Sequence, residues 1–214
     1  MGLRLAAFAR LSRLKFLVGG FAGGALGTLV AAYDGRGIVW TAYAAAQATI
    51  SAFHLMTHYA NEYFDRDADG FGFRTPYSGG SGVLLDGTLP PIVALRAAQI
   101  CAAAGVAGTA VLGLVVREPA SVALALAIGV LAWCYSAPPA RLLARGLGEG
   151  TTALVVAVLV PLCAYAAQRG VPSVFAIVMT LPGACAMIAM MLAVEYPDIA
   201  ADIAAGKRNL LVRL

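Results

Sequence analysis

The chain has 214 residues, of which 61% are hydrophobic and only 12% charged, and its mean hydropathy is +0.83. No soluble domain of this size needs so much apolar surface, so the chain is read as an integral membrane protein. The net charge of +4 comes without any interleaved basic and aromatic surface and does not argue for nucleic acid.

Six uncharged runs are long enough to cross a bilayer: Phe16 to Tyr33, Ile38 to Ala60, Ala97 to Val116, Ala120 to Ala137, Gly150 to Gln168, and Val171 to Val194. None alternates with the period of two that a barrel strand requires. The expected fold is therefore all-α, a polytopic membrane helical bundle with six transmembrane helices in one domain spanning residues 1–214. Basic residues precede the first run as in a signal peptide, but no convincing small-residue cleavage site follows, so it is kept as a helix. It carries Gly19, Gly23 and Gly27, with Gly20 and Gly24 beside them, a spacing that flattens a helix face for close packing. Cys101, Cys134, Cys163 and Cys185 each lie inside an apolar run without a C-x-x-C pair and read as small core- or lipid-facing residues.

The second run ends in His54, His58, Asn61 and Asp65, so one helix face turns polar toward its end and is expected to face a bundle interior. His54 and His58 have the spacing of a zinc pair, but Leu55 stands where the H-E-x-x-H glutamate would be. They read as interior histidines, with His58 the candidate for a substrate contact. The stretch N-E-Y-F-D-R-D-A-D follows, and if the helix continues, Asn61, Asp65 and Asp69 share a face. Hard oxygen donors gathered this way suit a Mg²⁺ ion bridging to phosphate oxygens. Asp65, Asp67, Asp69 and Gly70 imitate an EF-hand opening, yet Pro76 occupies the position where that loop needs its bidentate glutamate.

From Arg66 to Pro91 the chain is polar, and T-P-Y-S-G-G-S-G, Thr75 to Gly82, is dense in the residues of a loop whose amides can approach phosphate. A flexible lid explains it equally well. Arg74 is placed to pair with a phosphate or simply to hold that end of the bundle in the cytoplasm. The fourth run closes with Tyr135-Ser136-Ala137-Pro138-Pro139, where two prolines end the helix. Glu149 opens the fifth run, where a carboxylate suits a positive helix end, and that structural role suffices for it.

A second acidic motif follows the sixth run. Glu195, Asp198 and Asp202 fall three and four apart, with Lys207 and Arg208 just beyond. Two helices thus deliver carboxylates to one edge, and bridging cations remove the cost of their repulsion. With both termini on that edge, it collects twelve of the fifteen Lys and Arg residues, leaving Arg36, Arg117 and Arg169 opposite. The positive-inside rule then puts the N-terminus and the acidic motifs on the cytoplasmic side of a bacterial-type cytoplasmic membrane.

N-x-x-x-D-x-x-x-D at Asn61, Asp65 and Asp69, with D-x-x-x-D at Asp198 and Asp202, resembles the UbiA superfamily of intramembrane prenyltransferases. S-G-G-S-G, Y-S-A-P-P, R-G-L-G-E and the run from Asp198 to Arg208 are most similar to the branch containing 1,4-dihydroxy-2-naphthoate polyprenyltransferase, of menaquinone synthesis. The resemblance implies Mg²⁺-dependent prenyl transfer from a polyprenyl diphosphate to a small aromatic acceptor within the lipid bilayer, with 4-hydroxybenzoate, homogentisate, a porphyrin, a sugar or glycerol phosphate as alternative acceptors and an inactive scaffold as an alternative to the enzyme. It carries Asn61, Asp65, Asp69, Asp198 and Asp202 over as the metal and diphosphate site. Arg74, Lys207 or Arg208 would neutralise the leaving group, and Tyr135 would either stabilise the allylic cation or anchor the fourth helix at the interface. Members of the family typically have nine helices, so the chain is expected to be the N-terminal two thirds of a longer protein, or else a short form completed by a partner. Glu195, where many relatives have Asn, and Ala200, where some have an acid, bear on the acceptor. A transporter would place its ionisable groups near midplane and repeat its halves, and the acids here cluster at one face.

Overall fold

The computed structural model describes residues 2–35, 37–70, 77, 79–204, 206 and 210–213, apart from the side chains of Ala68, Asp69, Asp198, Ala201 and Ala204. Among the described residues the chain is helical, with no strand. α1 (Gly2–Ser12) leads through a short 3₁₀ turn, Leu14–Phe16, into α2 (Leu17–Tyr33). Arg13, at φ 47°, stops α1 and turns the chain. α3 (Trp40–Phe64), the short α4 (Arg66–Asp69), α5 (Pro91–Val115) and α6 (Pro119–Ser136) follow, the last two each opened by a proline whose missing N–H costs a first turn nothing. α7 (Gly148–Arg169) takes a π-helical course over Ala153–Leu159, just before Pro161, which has no N–H to continue the ordinary ladder. α8 (Val174–Glu195), α9 (Ile199–Ala204) and α10 (Leu210–Arg213) complete the described order.

Among the described residues five stretches are long and apolar enough to span a membrane: Gly2–Tyr33, Pro91–Val115, Pro119–Ser136, Gly148–Arg169 and Val174–Glu195. The sixth expected span, α3, has the length, 25 residues, but is less apolar, because Gln47, Thr49, Ser51, His54, Thr57 and His58 interrupt it. The reason is its place: α3 packs against α2, α5, α6 and α7 at the centre of the bundle, where polar groups face protein or cavity rather than lipid.

The glycines of α2 do what their spacing predicts. Gly19, Gly23 and Gly27 meet α7, and Gly20 and Gly24 meet α3. A Cβ on Gly27 would lie 1.9 Å from the Pro161 carbonyl oxygen, and one on Gly24 2.2 Å from Gln47 Oε1. At the end of the bundle away from the acidic motifs, Tyr165 and Ser173 donate to Asp34 Oδ2 at 2.7 and 3.0 Å, and Arg169 donates to the Asp34 carbonyl. Gln168 exchanges two hydrogen bonds with the backbone of Val39. The Tyr165 hydrogen bond is the main cause holding the Asp34 carboxyl below its ordinary range.

Gly27→Ala forces two backbones apart and is expected to destabilise the bundle by about 1–3 kcal/mol, whereas Gly19→Ala, meeting only a Val156 methyl at 3.3 Å, is tolerated; thermal unfolding in detergent separates the two. Because the folded pKa of Asp34 is depressed, its contribution is present above the unfolded carboxylate value near ~3.9 and is lost as pH falls through the folded value. Tyr165→Phe is thus expected to lower the unfolding temperature at neutral pH, with the gap to the wild type closing in acid.

Candidate functional site

One cavity of about 620 Å³ opens between α2, α3, α6, α7 and α8. Its mouth carries Arg13, Lys15, Asn61, Asp65, Glu195 and Asp202, and its depth is lined by Ile50, Phe53, Ile128, Val156, Val160 and three methionines of α8. The division follows from sequence: the acids and cations of the lining helices come where the chain reaches this end of the bundle, and below it α3 adds only the neutral polar groups of His54, Thr57 and His58 to an apolar wall.

The expected unbroken helix through Asn61, Asp65 and Asp69 is corrected by the structure. α3 ends at Phe64, Asp65 caps it with φ −102° and ψ 0°, and α4 starts afresh at Arg66. The cap still holds Asp65 one turn above Asn61, its amide donating to the Asn61 carbonyl at 2.9 Å. The Asn61 amide nitrogen donates to Asp65 Oδ2 and to Ser136 Oγ, and Ser136 in turn donates to Asp65 Oδ2 at 3.2 Å. With its nitrogen committed, the oxygen of Asn61 is what the amide can offer a cation. Asp65, 3% exposed, is held by two helices at once. Ser136 sits at the end of α6 because the prolines that follow stop the helix there.

Glu62 is a second buried carboxylate, 3% exposed, and it faces away from the Asn61 row. It accepts from the Ser81 amide and the Ser81 hydroxyl, each at 2.7 Å, with Arg13 Nη1 at 3.7 Å. Arg10 donates to the Ser81 carbonyl at 3.2 Å. The glycine-rich segment is thereby fastened to α3 and α1. Gly79 and Gly80, at φ +76° and +67°, take a left-handed course that a side chain would resist, and both line the cavity beside Tyr77. Lys15 reaches across this mouth, its Nζ 5.0 Å from the Phe16 ring and 5.1 Å from the Tyr77 ring.

On the second motif, Pro197 breaks the path between α8 and α9 into a 3₁₀ turn, yet Glu195 and Asp202 are both buried and both line the cavity. α9 lies against α4, which brings the backbone segments of the two acidic motifs together. Glu149 has more than the helix-terminus role the sequence suggests. It is 1% exposed and accepts the Leu210 amide at 2.6 Å, while Arg213 donates to the Arg145 carbonyl at 2.7 Å, so the segment from Arg145 to Glu149 anchors the chain that follows Lys207 and Arg208.

His58 lines the cavity below Asn61. Its Nδ1 lies 3.0 Å from the Ser12 carbonyl, which can only accept, so Nδ1 carries the proton and Nε2 the lone pair. Tyr135 lines the mouth from α6. Of the residues expected from sequence, Asn61, Asp65, Asp202, Tyr135 and His58 thus share one cavity; the side chains of Asp69 and Asp198, and all of Arg74, Lys207 and Arg208, lie outside the described residues. Arg13, Lys15, Glu62 and Ser136 were not singled out from sequence. Their signals, a basic pair before the first span, the acid beside Asn61 and the serine of Y-S-A-P-P, gain meaning only once the helices are assembled.

Among the described residues no three His, Cys, Asp or Glu side chains come together closely enough to hold a metal by themselves. The donors at the mouth are nevertheless all oxygen. This fits a hard cation bound through one or two carboxylates and completed by ligand phosphates, not a closed protein cage.

Among the described residues, an acid-rimmed cavity that deepens into an apolar slot between membrane helices offers a charged end and an apolar end to one ligand. Residues 9–214 match the UbiA prenyltransferase family, and the chain belongs to it: the protein is an intramembrane prenyltransferase. The fold is similar to a solved structure described as digeranylgeranylglyceryl phosphate synthase in membranes, with a TM-score of 0.71 and 14% identity over 99% of this chain and 69% of that one. No protein of curated function matches the chain in sequence.

Glu62→Ala removes both acceptors of Ser81 and is expected to speed proteolytic cleavage between residues 77 and 82 by about tenfold or more, the loss of charged hydrogen bonds worth roughly 1.5–3 kcal/mol each. Glu62→Gln, which keeps one acceptor oxygen, is expected to lie between; mass-spectrometric mapping of a timed digest reads both.

Proposed function

We propose that the protein transfers a prenyl group from a polyprenyl diphosphate to an aromatic acceptor, the 1,4-dihydroxy-2-naphthoate of menaquinone synthesis being the best candidate. The observation that carries this reading is the polarity gradient of the cavity: acids, Asn61 and two cations at the mouth, apolar side chains below. The diphosphate lies at the mouth and the prenyl chain runs down between α3, α6, α7 and α8. Rings of Phe16, His58, Tyr77 and Tyr135 line the same head of the cavity, which supports a flat acceptor stacked beside the allylic carbon.

Asn61, Asp65, Asp69, Asp198 and Asp202 would hold Mg²⁺, which supplies charge neutralisation for the leaving diphosphate. Arg13 and Lys15 line the site where negative charge grows as the allylic carbon–oxygen bond breaks, with Arg74, Lys207 and Arg208 following the two motifs in sequence. The ring of Tyr135 faces the resulting cation. The acceptor carbon then attacks, the new carbon–carbon bond forms, and the ring proton leaves to a base. Ser136 and Asn61 keep Asp65 in place without touching the reacting atoms. The basic bias of the sequence supports a cytoplasmic position for this mouth. A glyceryl phosphate acceptor is the second reading, favoured by the fold shared with the digeranylgeranylglyceryl phosphate synthase.

Purified protein in detergent with Mg²⁺, radiolabelled geranylgeranyl diphosphate and a panel of acceptors led by 1,4-dihydroxy-2-naphthoate tests the reading. A lipophilic product is expected that Asp65→Ala lowers by at least about a hundredfold and that a chelator abolishes. Product insensitive to both removes the metal–diphosphate site; product with a glyceryl phosphate alone moves the acceptor to the second reading.

A further inference from the structure

We infer that Ile50 and Phe53 form a floor that limits the prenyl chain this enzyme accepts to about four five-carbon units. The inference rests on the prenyl diphosphate reading above and names the length of that substrate. On α3 the cavity is lined from Asp65 down through Asn61, His58, His54 and Phe53 to Ile50, a single helix face. Ile50 lies fifteen residues before Asp65 in the sequence, so about 22 Å of helix separates the rim from the floor at 1.5 Å per residue. The diphosphate takes roughly 5 Å of this and an extended five-carbon unit about 5 Å, from ordinary bond lengths and angles. Three to four units fit.

The floor is built, not incidental. Ile50, Phe53, Ile128 and Val160 belong at once to the cavity wall and to the packed core that continues below them with Ala46, Ala125 and Cys163. Phe53 is confined on the side of α5 and α6. Its ring sits in a slot left by Gly105 of α5 and Gly129 of α6, where an added Cβ would fall 2.4 and 2.7 Å from ring carbon Cε1. Beneath Ile50, one turn further along α3, comes Gln47, 7% exposed, whose Oε1 has no hydrogen-bond partner among the described residues. An apolar chain pushed past Ile50 would meet a buried amide and lose the apolar contacts that favour its burial.

The test measures binding, with Mg²⁺, of unreactive thiolodiphosphate analogues carrying ten to forty carbons, by calorimetry on the purified full chain in detergent, with inorganic diphosphate as the head-group probe. The wild type is expected to bind the fifteen- and twenty-carbon analogues best and those of thirty or more at least about tenfold more weakly. Ile50→Ala and Phe53→Ala are expected to shift the optimum to longer chains, and Ala132→Phe, which fills the cavity above Ile128, to shorter ones, while all three keep the affinity for inorganic diphosphate. Equal affinity for every length above fifteen carbons, or variants that hold inorganic diphosphate with an unchanged optimum, overturns the floor and leaves the prenyl reading standing. Inorganic diphosphate bound with no gain from any tail, or no binding at all, overturns the prenyl reading and the floor with it.

Discussion

Five buried carboxylates, Glu62, Asp65, Glu149, Glu195 and Asp202, gather at one end of a bundle that is otherwise apolar. Burying like charges together is costly unless each is hydrogen-bonded or met by a cation, and the architecture of this end is the set of answers to that cost. Two of the acids hold loop segments in place. Glu62 takes an amide, a hydroxyl and a guanidinium, and Glu149 takes the amide of Leu210. Asp65 is held by Asn61 and Ser136 and stands on the cavity with Glu195 and Asp202. The first pair therefore serve the scaffold, while the other three share the wall of the cavity.

That division explains how loops come to be part of a membrane active site. Irregular backbone at the mouth of a bundle needs anchors, because water cannot be relied on to satisfy it there. Glu62 anchors the glycine-rich segment after the first motif, and Glu149 anchors the segment after the second. Each anchor is a glutamate next to or near a motif residue, on a helix whose position is set by apolar packing. The opposite end of the bundle has no such burden. It is tied by Asp34, Tyr165, Ser173, Arg169 and Gln168, whose bonds are spent on one another and on backbone.

Packing below the mouth sets what the cavity holds. Glycines on α2 bring the backbone of α7 and the side chains of α3 close on one side, and Gly105 and Gly129 admit the Phe53 ring on the other. The space carries its charged groups at one end and meets the packed core at Ile50, Phe53, Ile128 and Val160.

Local chemistry in the sequence was enough to determine that the chain is helical and membrane-embedded, where most helices begin and end, and that two acid motifs lie at one end. Apolar run length, proline placement and residue spacing act over a few turns and need no partner. The glycine rows of α2 were legible for the same reason, and so were Asn61, Asp65 and Asp202. The break at Asp65, the seating of Ser81 on Glu62, the reach of Ser136 from α6 to Asp65 and the burial of Glu149 against Leu210 were decided by tertiary structure alone. Each depends on which helix stands beside which, across 19 to 71 residues of chain for the three hydrogen bonds. A lone serine or glutamate looks the same in sequence whether it faces lipid headgroups or another helix, and only the assembled bundle distinguishes them.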